Sequence, residues 1–145
     1  MRNRVAILHG INLGALDRRP AKHYGGLTFT QLEQRIGKFA RELNLQTSFF
    51  QSNHEGEYVE ELHKAGDYAD GLLLNPGAWT HYAWSLRDAV EISGLPAIEV
   101  HLSDVDAREE FRRVSVIRDH CLATIKGEGV DGYRRALELL KEHLA

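Results

Sequence analysis

The sequence contains a single cysteine, Cys121, among its 145 residues, so an internal disulfide is excluded. This composition suits a reducing, cytoplasmic environment. No apolar run is long enough to cross a bilayer, and the run VAIL near the N-terminus is too short for a signal peptide. A formal net charge of −3 provides no basic surface. Nucleic acid and anionic membranes are therefore not expected as partners.

The sequence also lacks the common cofactor-binding motifs. The segment GINLG has neither the G-x-G-x-x-G spacing of dinucleotide-binding folds nor the G-K-[ST] of a P-loop, so no flavin or nucleotide is expected. None of the eight histidines forms an H-x-x-x-H or H-E-x-x-H pair. A metal site built from His54, His81 and His101 is thus the less favoured alternative. The apolar neighbours of Cys121 favour a buried strand thiol over a nucleophile.

Four short apolar runs are each followed immediately by polar residues. This pattern is typical of strands that are buried on both faces of a parallel sheet. The runs occupy residues 5–8, 47–50, 72–74 and 96–100, and they lead into HGIN, QSNHEG, NPGAWTH and HLSD. Ligands bind outside the carboxyl ends of the strands in open α/β sheets, so the polar residues are expected to form one site.

Segments with helical periodicity separate these runs. They lie at 30–43, 57–68, 81–93, 106–113 and 131–144, and a fifth strand is expected at 121–125. Thr30 and Glu33 have capping-box spacing at the start of the first helix. This alternation predicts one domain over residues 1–145 with an α/β, flavodoxin-like fold, a five-stranded parallel sheet with helices on both faces. The aperiodic segment 14–26, with glycine at both ends, is expected to be an active-site lid.

Two pairs of residues are candidates for acid–base chemistry. Glu99 and His101 lie two apart in a strand and therefore point to one face. A histidine partner would offset the cost of burying the carboxylate and would make His101 a general acid, although a structural ion pair fits equally well. Tyr24 and Arg19 share the lid, where a guanidinium would stabilise a phenolate base. From spacing alone, a solvated tyrosine is the favoured interpretation. Without a nucleophile elbow, Ser103 is interpreted as a binding hydroxyl.

Three motifs carry a resemblance to a known family. The runs QSNHEGE (51–57), NPGAWTH (75–81) and EVHLSDVDAREEFRR (99–113) resemble those of the type II 3-dehydroquinate dehydratases, and the similarity covers essentially the whole chain. The resemblance implies a flavodoxin-like fold, a homododecamer built from trimers, and activity without metal or cofactor. It also implies anti elimination of water from 3-dehydroquinate through an enolate, which gives 3-dehydroshikimate in aromatic biosynthesis or in quinate breakdown.

The resemblance also implies roles for individual residues. Tyr24 would be the base that removes the C2 proton, and Arg19 would keep it ionised. Asn12 would hold a water against the enolate oxygen. His101, paired with Glu99, would protonate the leaving C1 hydroxyl. Substrate binding would involve Asn75, His81, Leu102, Ser103 and Arg112, and Asp88 would reach the site of a neighbouring subunit.

The sequence departs from the family pattern around these residues. His9-Gly10-Ile11 replaces the usual Asn-Gly-Pro at the end of the first strand. In the lid, Asp17, Pro20 and Ala21 replace Gly, Glu and Pro, while Asp104 and Asp106 stand where Asn and His are common. The residues with an implied chemical role are all retained. A non-catalytic binding module with the same fold is the competing hypothesis, which the retention of both Arg19 and Tyr24 argues against.

Two further predictions concern the mechanism and the assembly. None of the five lysines lies in a predicted strand or at one of the four strand ends, so an enolate route is predicted over a Schiff base. Trp79, Tyr82 and Trp84 surround the start of the third helix. Together they carry more aromatic surface than one helix face can bury. An interface between subunits is therefore predicted here.

Overall fold

A five-stranded parallel sheet forms the centre of the computed structural model, which describes all residues from 1 to 145. The strands are β1 Arg4–His9, β2 Gln46–Gln51, β3 Gly71–Asn75, β4 Ala97–Val100 and β5 Ala123–Ile125. Their order across the sheet is β2-β1-β3-β4-β5, and every neighbouring pair is parallel. The predicted flavodoxin-like α/β fold is therefore confirmed. The direction of winding changes between β1 and β3, where such sheets bind their ligands.

Helices cover both faces of the sheet. They are α1 Ala21–Tyr24, α2 Phe29–Glu42, α3 Glu55–Lys64, α4 Trp84–Ser93 and α5 Asp131–Leu144. Because side chains alternate along a strand, β3 supplies Leu73 to the core beneath α2 and α5, and Leu72 and Leu74 to the core beneath α3 and α4. All five residues of β3 are buried, as its unbroken apolar run predicts.

The start of α2 differs from the prediction. Its N-cap is Thr28, whose hydroxyl accepts a hydrogen bond from the Gln31 N–H at 3.1 Å, and the Gln31 side chain accepts the Thr28 N–H at 3.0 Å. The prediction that Thr30 and Glu33 form the capping box is therefore wrong. Both pairs have capping-box spacing, and only the structure shows which threonine precedes the first helical turn.

The predicted helix over 106–113 is also wrong. Two short 3-10 helices occupy this segment, Val105–Ala107 and Glu110–Arg113. Between them Arg108 has φ −104° and ψ −149°, which is not helical. A helix of eight residues has little intrinsic stability, so contacts outside the segment can decide its conformation. The expected lid at 14–26 is not irregular, because it contains most of the 3-10 helix Leu13–Arg18 and all of α1.

The predicted aromatic surface is only partly exposed. Trp79 is buried, with its ring 5.6 Å from that of Tyr58 in the core. The prediction that Trp79 contributes to an exposed aromatic surface is therefore wrong. Tyr82 and Trp84 are 59% and 65% exposed.

Cys121 precedes β5 rather than lying in it, and burial raises the pKa of its thiol to about 12. No helix has both the length and the apolar character needed to cross a membrane.

Candidate active site

A cavity of about 340 Å³ lies at the carboxyl ends of β1, β3 and β4. Its lining includes nine of the predicted site residues: Asn12, Arg19, Tyr24, Asn75, His81, His101, Leu102, Ser103 and Arg112. Of the other two, Glu99 lies directly behind His101, whereas Asp88 is exposed on α4 and is not part of the lining. No lysine lines the cavity. No three His, Cys, Asp or Glu side chains come together in a group that could hold a metal ion.

Close approach of two strand ends shapes the floor of this cavity. A Cβ atom at Gly10 would lie 2.2 Å from the Pro76 carbonyl oxygen, so only glycine fits there. Gly77 has φ +68°, and a Cβ atom on it would lie 2.5 Å from the Ile11 carbonyl oxygen. These two glycines let the segments that follow β1 and β3 touch. The contact brings Asn12 and Asn75 into the same cavity.

Tyr24 lies at one side of the cavity between two guanidinium groups. Its hydroxyl accepts hydrogen bonds from Arg19 Nη2 and from Arg108 Nη1, both at 2.7 Å. The two guanidinium carbons also lie over its ring, at 4.4 Å and 5.4 Å from the centroid. Two guanidinium groups therefore donate to one phenolic oxygen. The contact between Arg19 and Tyr24 agrees with the pairing that the family resemblance implied, whereas the solvated tyrosine that spacing alone favoured is wrong.

Arg108 is a site residue that the sequence did not reveal. Besides Tyr24, it donates to the Ser103 hydroxyl at 3.3 Å, so it bridges the lid and the segment after β4. In the sequence it is one of three arginines in DAREEFRR, and a predicted helix gave no reason to single it out. The non-helical backbone at Arg108, which only the fold reveals, directs this side chain towards the cavity.

Glu99 and His101 form a buried pair at the carboxyl end of β4, with Glu99 Oε2 and His101 Nε2 2.6 Å apart. The Glu99 carboxylate is 1% exposed and also accepts hydroxyl hydrogen bonds from Thr80 at 2.5 Å, Ser115 at 2.7 Å and Thr124 at 3.2 Å. Burial by itself would raise the pKa of Glu99. The hydrogen bonds from His101, Thr80 and Ser115 outweigh burial and hold that pKa at about 2. The anionic carboxylate therefore accepts the Nε2 proton of His101, which leaves Nδ1 available to a ligand.

Neutral donors and acceptors surround the rest of the cavity. His81 Nδ1 donates to the Val114 carbonyl oxygen at 2.7 Å, and burial lowers the pKa of this ring, so it is neutral with Nε2 as an acceptor. The Asn75 side chain accepts the Gly77 N–H at 3.2 Å. The backbone N–H groups of Leu102 and Ser103 donate to no acceptor within the protein. Two adjacent free N–H donors are suited to a carboxylate.

Asn12 is held at the mouth of the cavity by a strained turn. It has φ +70°, in the left-handed region that asparagine tolerates better than most residues. Its N–H donates to Asn53 Oδ1 at 2.9 Å, and Gln51 Nε2 donates to the same oxygen at 3.1 Å. The residues after β2 therefore support Asn12 and do not line the cavity themselves. Arg112, whose side chain contacts Glu109, also lines the cavity.

Comparison with known proteins places this geometry in a family. The family model for dehydroquinase class II matches residues 3–141. A 3-dehydroquinate dehydratase of Caldicellulosiruptor saccharolyticus is 46% identical over 97% of this chain and 98% of its own length, and one of Bacillus licheniformis is 48% identical over 92% of each. The crystal structure of type II dehydroquinase from Propionibacterium acnes superposes with a TM-score of 0.91 at 39% identity, covering 98% of both chains.

Proposed function

This chain belongs to the class II dehydroquinase family and catalyses the dehydration of 3-dehydroquinate, and we propose that Tyr24 and His101 are its base and its acid. One observation carries this assignment. A tyrosine hydroxyl that is stabilised by two guanidinium groups and a histidine that is held by a buried carboxylate line the same cavity. Elimination of water beside a ketone requires such a pair, because one group must take a proton from carbon and another must give one to the leaving oxygen.

In the first step the Tyr24 phenolate removes a proton from C2 of the substrate, next to the C3 ketone. The electrons of the broken C–H bond form the enolate. Asn12 holds a water that donates to the enolate oxygen. Arg19 and Arg108 keep Tyr24 in its basic form, since each guanidinium interacts more strongly with a phenolate than with a phenol.

In the second step the enolate re-forms the ketone and the C1–C2 double bond as the C1–O bond breaks. His101 donates its Nδ1 proton to the departing hydroxyl, which leaves as water. Glu99 stabilises the protonated imidazole before the transfer and fixes its orientation throughout. Base and acid line the same cavity, so both can act on one bound substrate, and anti elimination has them act on its opposite faces. No cofactor or metal takes part in either step.

The remaining cavity residues hold the substrate. The free N–H groups of Leu102 and Ser103 bind its carboxylate, together with the Ser103 hydroxyl. Asn75, neutral His81 and Arg112 bind its hydroxyl groups. The segment 14–26 acts as the lid of a single catalytic domain, and closing it brings Arg19 and Tyr24 onto the bound substrate.

We also propose that the enzyme works in the cytoplasm as a homododecamer that is built from trimers. The exposed Tyr82 and Trp84 at the start of α4 support an interface on that side of the molecule. Asp88 lies on the same helix and outside the cavity of its own chain, which is where a residue serving a neighbouring subunit would be.

The decisive assay follows the conjugated enone of 3-dehydroshikimate in the ultraviolet after 3-dehydroquinate is added. With substrate stereospecifically deuterated at C2, an anti elimination releases the label from one face only. Because no lysine lines the cavity, activity should survive borohydride in the presence of substrate, and it should survive a strong chelator as well. Inactivation by borohydride would replace the enolate route with a Schiff base. Loss of deuterium from both faces of C2 would contradict the proposal that a single positioned base removes the proton.

A further inference from the structure

One buried histidine has no part in the proposed reaction. His9 is the last residue of β1 and is fully buried. The only hydrogen bond of its ring joins Nε2 to the Tyr133 hydroxyl at 2.9 Å, and Nδ1 is buried without a partner. A buried polar atom without a partner is rare and costs stability, so packing alone does not account for a histidine here.

The hydrogen-bond pattern fixes the direction of every donor from His9 to the cavity. Asn75 Oδ1 accepts the Gly77 N–H, so Asn75 Nδ2 is the atom that faces Tyr133, and it donates to the Tyr133 oxygen at 2.9 Å. The hydroxyl proton of Tyr133 then has one acceptor left, His9 Nε2. His9 must therefore be neutral, with its proton on Nδ1.

The electrostatics agree with this assignment. Burial lowers the pKa of His9 to about 3, and burial also raises the pKa of Tyr133. At neutral pH the imidazole is thus an uncharged acceptor and the phenol keeps its proton. His9, Tyr133 and Asn75 together form what we call the buried triad.

The fold brings the buried triad together with little freedom. His9 and Asn75 are opposite each other in the register of β1 and β3, so both side chains lie on the face that α5 covers. Tyr133 comes from the first turn of α5 and is fully buried. The Phe29 ring packs edge-to-face on the His9 ring at 5.1 Å. Asn75 alone of the three lines the cavity.

We propose that His9 is a positioning residue for substrate binding, which acts through Tyr133 to fix the amide of Asn75. The inference rests on the proposed function, in which Asn75 binds a substrate hydroxyl. With His9 as acceptor, the Asn75 amide keeps one N–H on Tyr133 and presents the other to the cavity. Without that acceptor, the Tyr133 hydroxyl turns its proton towards Asn75. The amide then flips, leaves the Gly77 N–H unpaired and offers the substrate an oxygen in place of a donor.

The test compares two replacements of His9 in two backgrounds. In His9→Gln the side-chain oxygen reaches roughly the position of Nε2 and can accept the Tyr133 proton, whereas His9→Met fills similar space without a comparable acceptor. Loss of one hydrogen bond of this kind should raise KM for 3-dehydroquinate about 3- to 10-fold in His9→Met, with kcat little changed, while His9→Gln stays within about twofold of wild type. In the Tyr133→Phe background the two replacements should have the same KM, because the hydroxyl through which His9 acts is gone.

A role in packing alone predicts a different result. The inference is overturned if His9→Met and His9→Gln have equal KM values beside Tyr133, or if their difference persists in the Tyr133→Phe background. A second measurement needs no variant: ¹⁵N spectra of histidine-labelled wild-type protein at neutral pH should show His9 protonated at Nδ1, and protonation at Nε2 would also overturn it. Failure of the wild type to convert 3-dehydroquinate would instead reject the proposed function and leave the tautomer result standing.

Discussion

Replacing Tyr24 with phenylalanine tests the proposed base most directly. The Tyr24→Phe change removes one oxygen atom, the acceptor of both 2.7 Å hydrogen bonds from Arg19 and Arg108, and keeps the ring that the two guanidinium groups cover. The lid keeps its packing, and solvent in the cavity can reach both arginines. Substrate affinity should therefore change little. The chemical step loses its proton acceptor.

The size of the loss follows from what a general base contributes. A positioned base accelerates proton transfer by about 10²- to 10⁴-fold, which corresponds to roughly 3 to 5 kcal/mol of activation free energy. We therefore expect kcat of Tyr24→Phe to fall at least about 100-fold, with a substrate Kd by isothermal titration within about threefold of wild type. The matched control is Tyr68→Phe, the same change at a half-buried tyrosine outside both the cavity and the proposed interface, which should leave kcat unaltered.

The arginines supply a second arm of the same test. Arg108→Ala or Arg19→Ala leaves the phenolate with one stabilising cation in place of two. Each change should therefore lower kcat, because one of the two hydrogen bonds that hold the Tyr24 oxygen is lost. Arg113→Ala, an arginine outside the cavity lining, should leave kcat unaltered. Wild-type kcat in Tyr24→Phe would refute the assignment of the base, whatever the family membership of the chain.

Three other predictions concern stability, the acid and assembly. The pKa of His9 is about 3 in the folded protein and 6.5 in an unperturbed histidine, so between these pH values the unfolded chain binds more protons. The free energy of unfolding therefore falls as the pH falls, by up to about 1.4 kcal/mol per pH unit. Urea unfolding of His9→Gln should show a shallower dependence on pH than the wild type, and parallel curves would contradict this. Thr80→Val removes the 2.5 Å hydroxyl donor to Glu99 and should lower kcat about 3- to 10-fold, unlike Thr30→Val on the exposed side of α2. Light scattering should give a closed oligomer that Trp84→Glu dissociates; a monomeric wild type at micromolar concentration would reject the interface.

Periodicity alone was enough to predict the architecture. The four apolar runs, the fifth strand expected at 121–125 and the helical segments between them predicted the five-stranded parallel sheet, because parallel strands need crossovers, which are usually helices. The expectation of burial on both faces is wrong for β2, an edge strand that is only partly buried. The bounds of α5, Asp131–Leu144, agree with the predicted segment to the residue. Local pattern failed where two solutions were equally allowed, as for Thr28 and Thr30 at the start of α2.

The candidate site was predicted only as far as strand ends and family motifs reach. Spacing paired Glu99 with His101 but left a catalytic acid and a structural ion pair equally favoured. The pairing of Tyr24 with Arg19 came from the family resemblance, because spacing alone favoured a solvated tyrosine. It gave no sign of Arg108, because a pattern that predicted a helix concealed the non-helical residue that directs this side chain towards Tyr24. It also gave no sign of the link from His9 to Asn75, in which Tyr133 lies 124 residues from one and 58 from the other.

Periodicity determines which side chains are buried, since burial depends on local spacing along a helix or strand. It does not determine which buried polar atoms meet, because those contacts join residues far apart in the chain and depend on strand register and helix placement. For this protein the sequence determined the sheet, its two apolar cores and the strand ends that carry the site. Only the tertiary structure decided that two arginines share one tyrosine, that three hydroxyls surround Glu99, and that a neutral histidine stands behind Asn75.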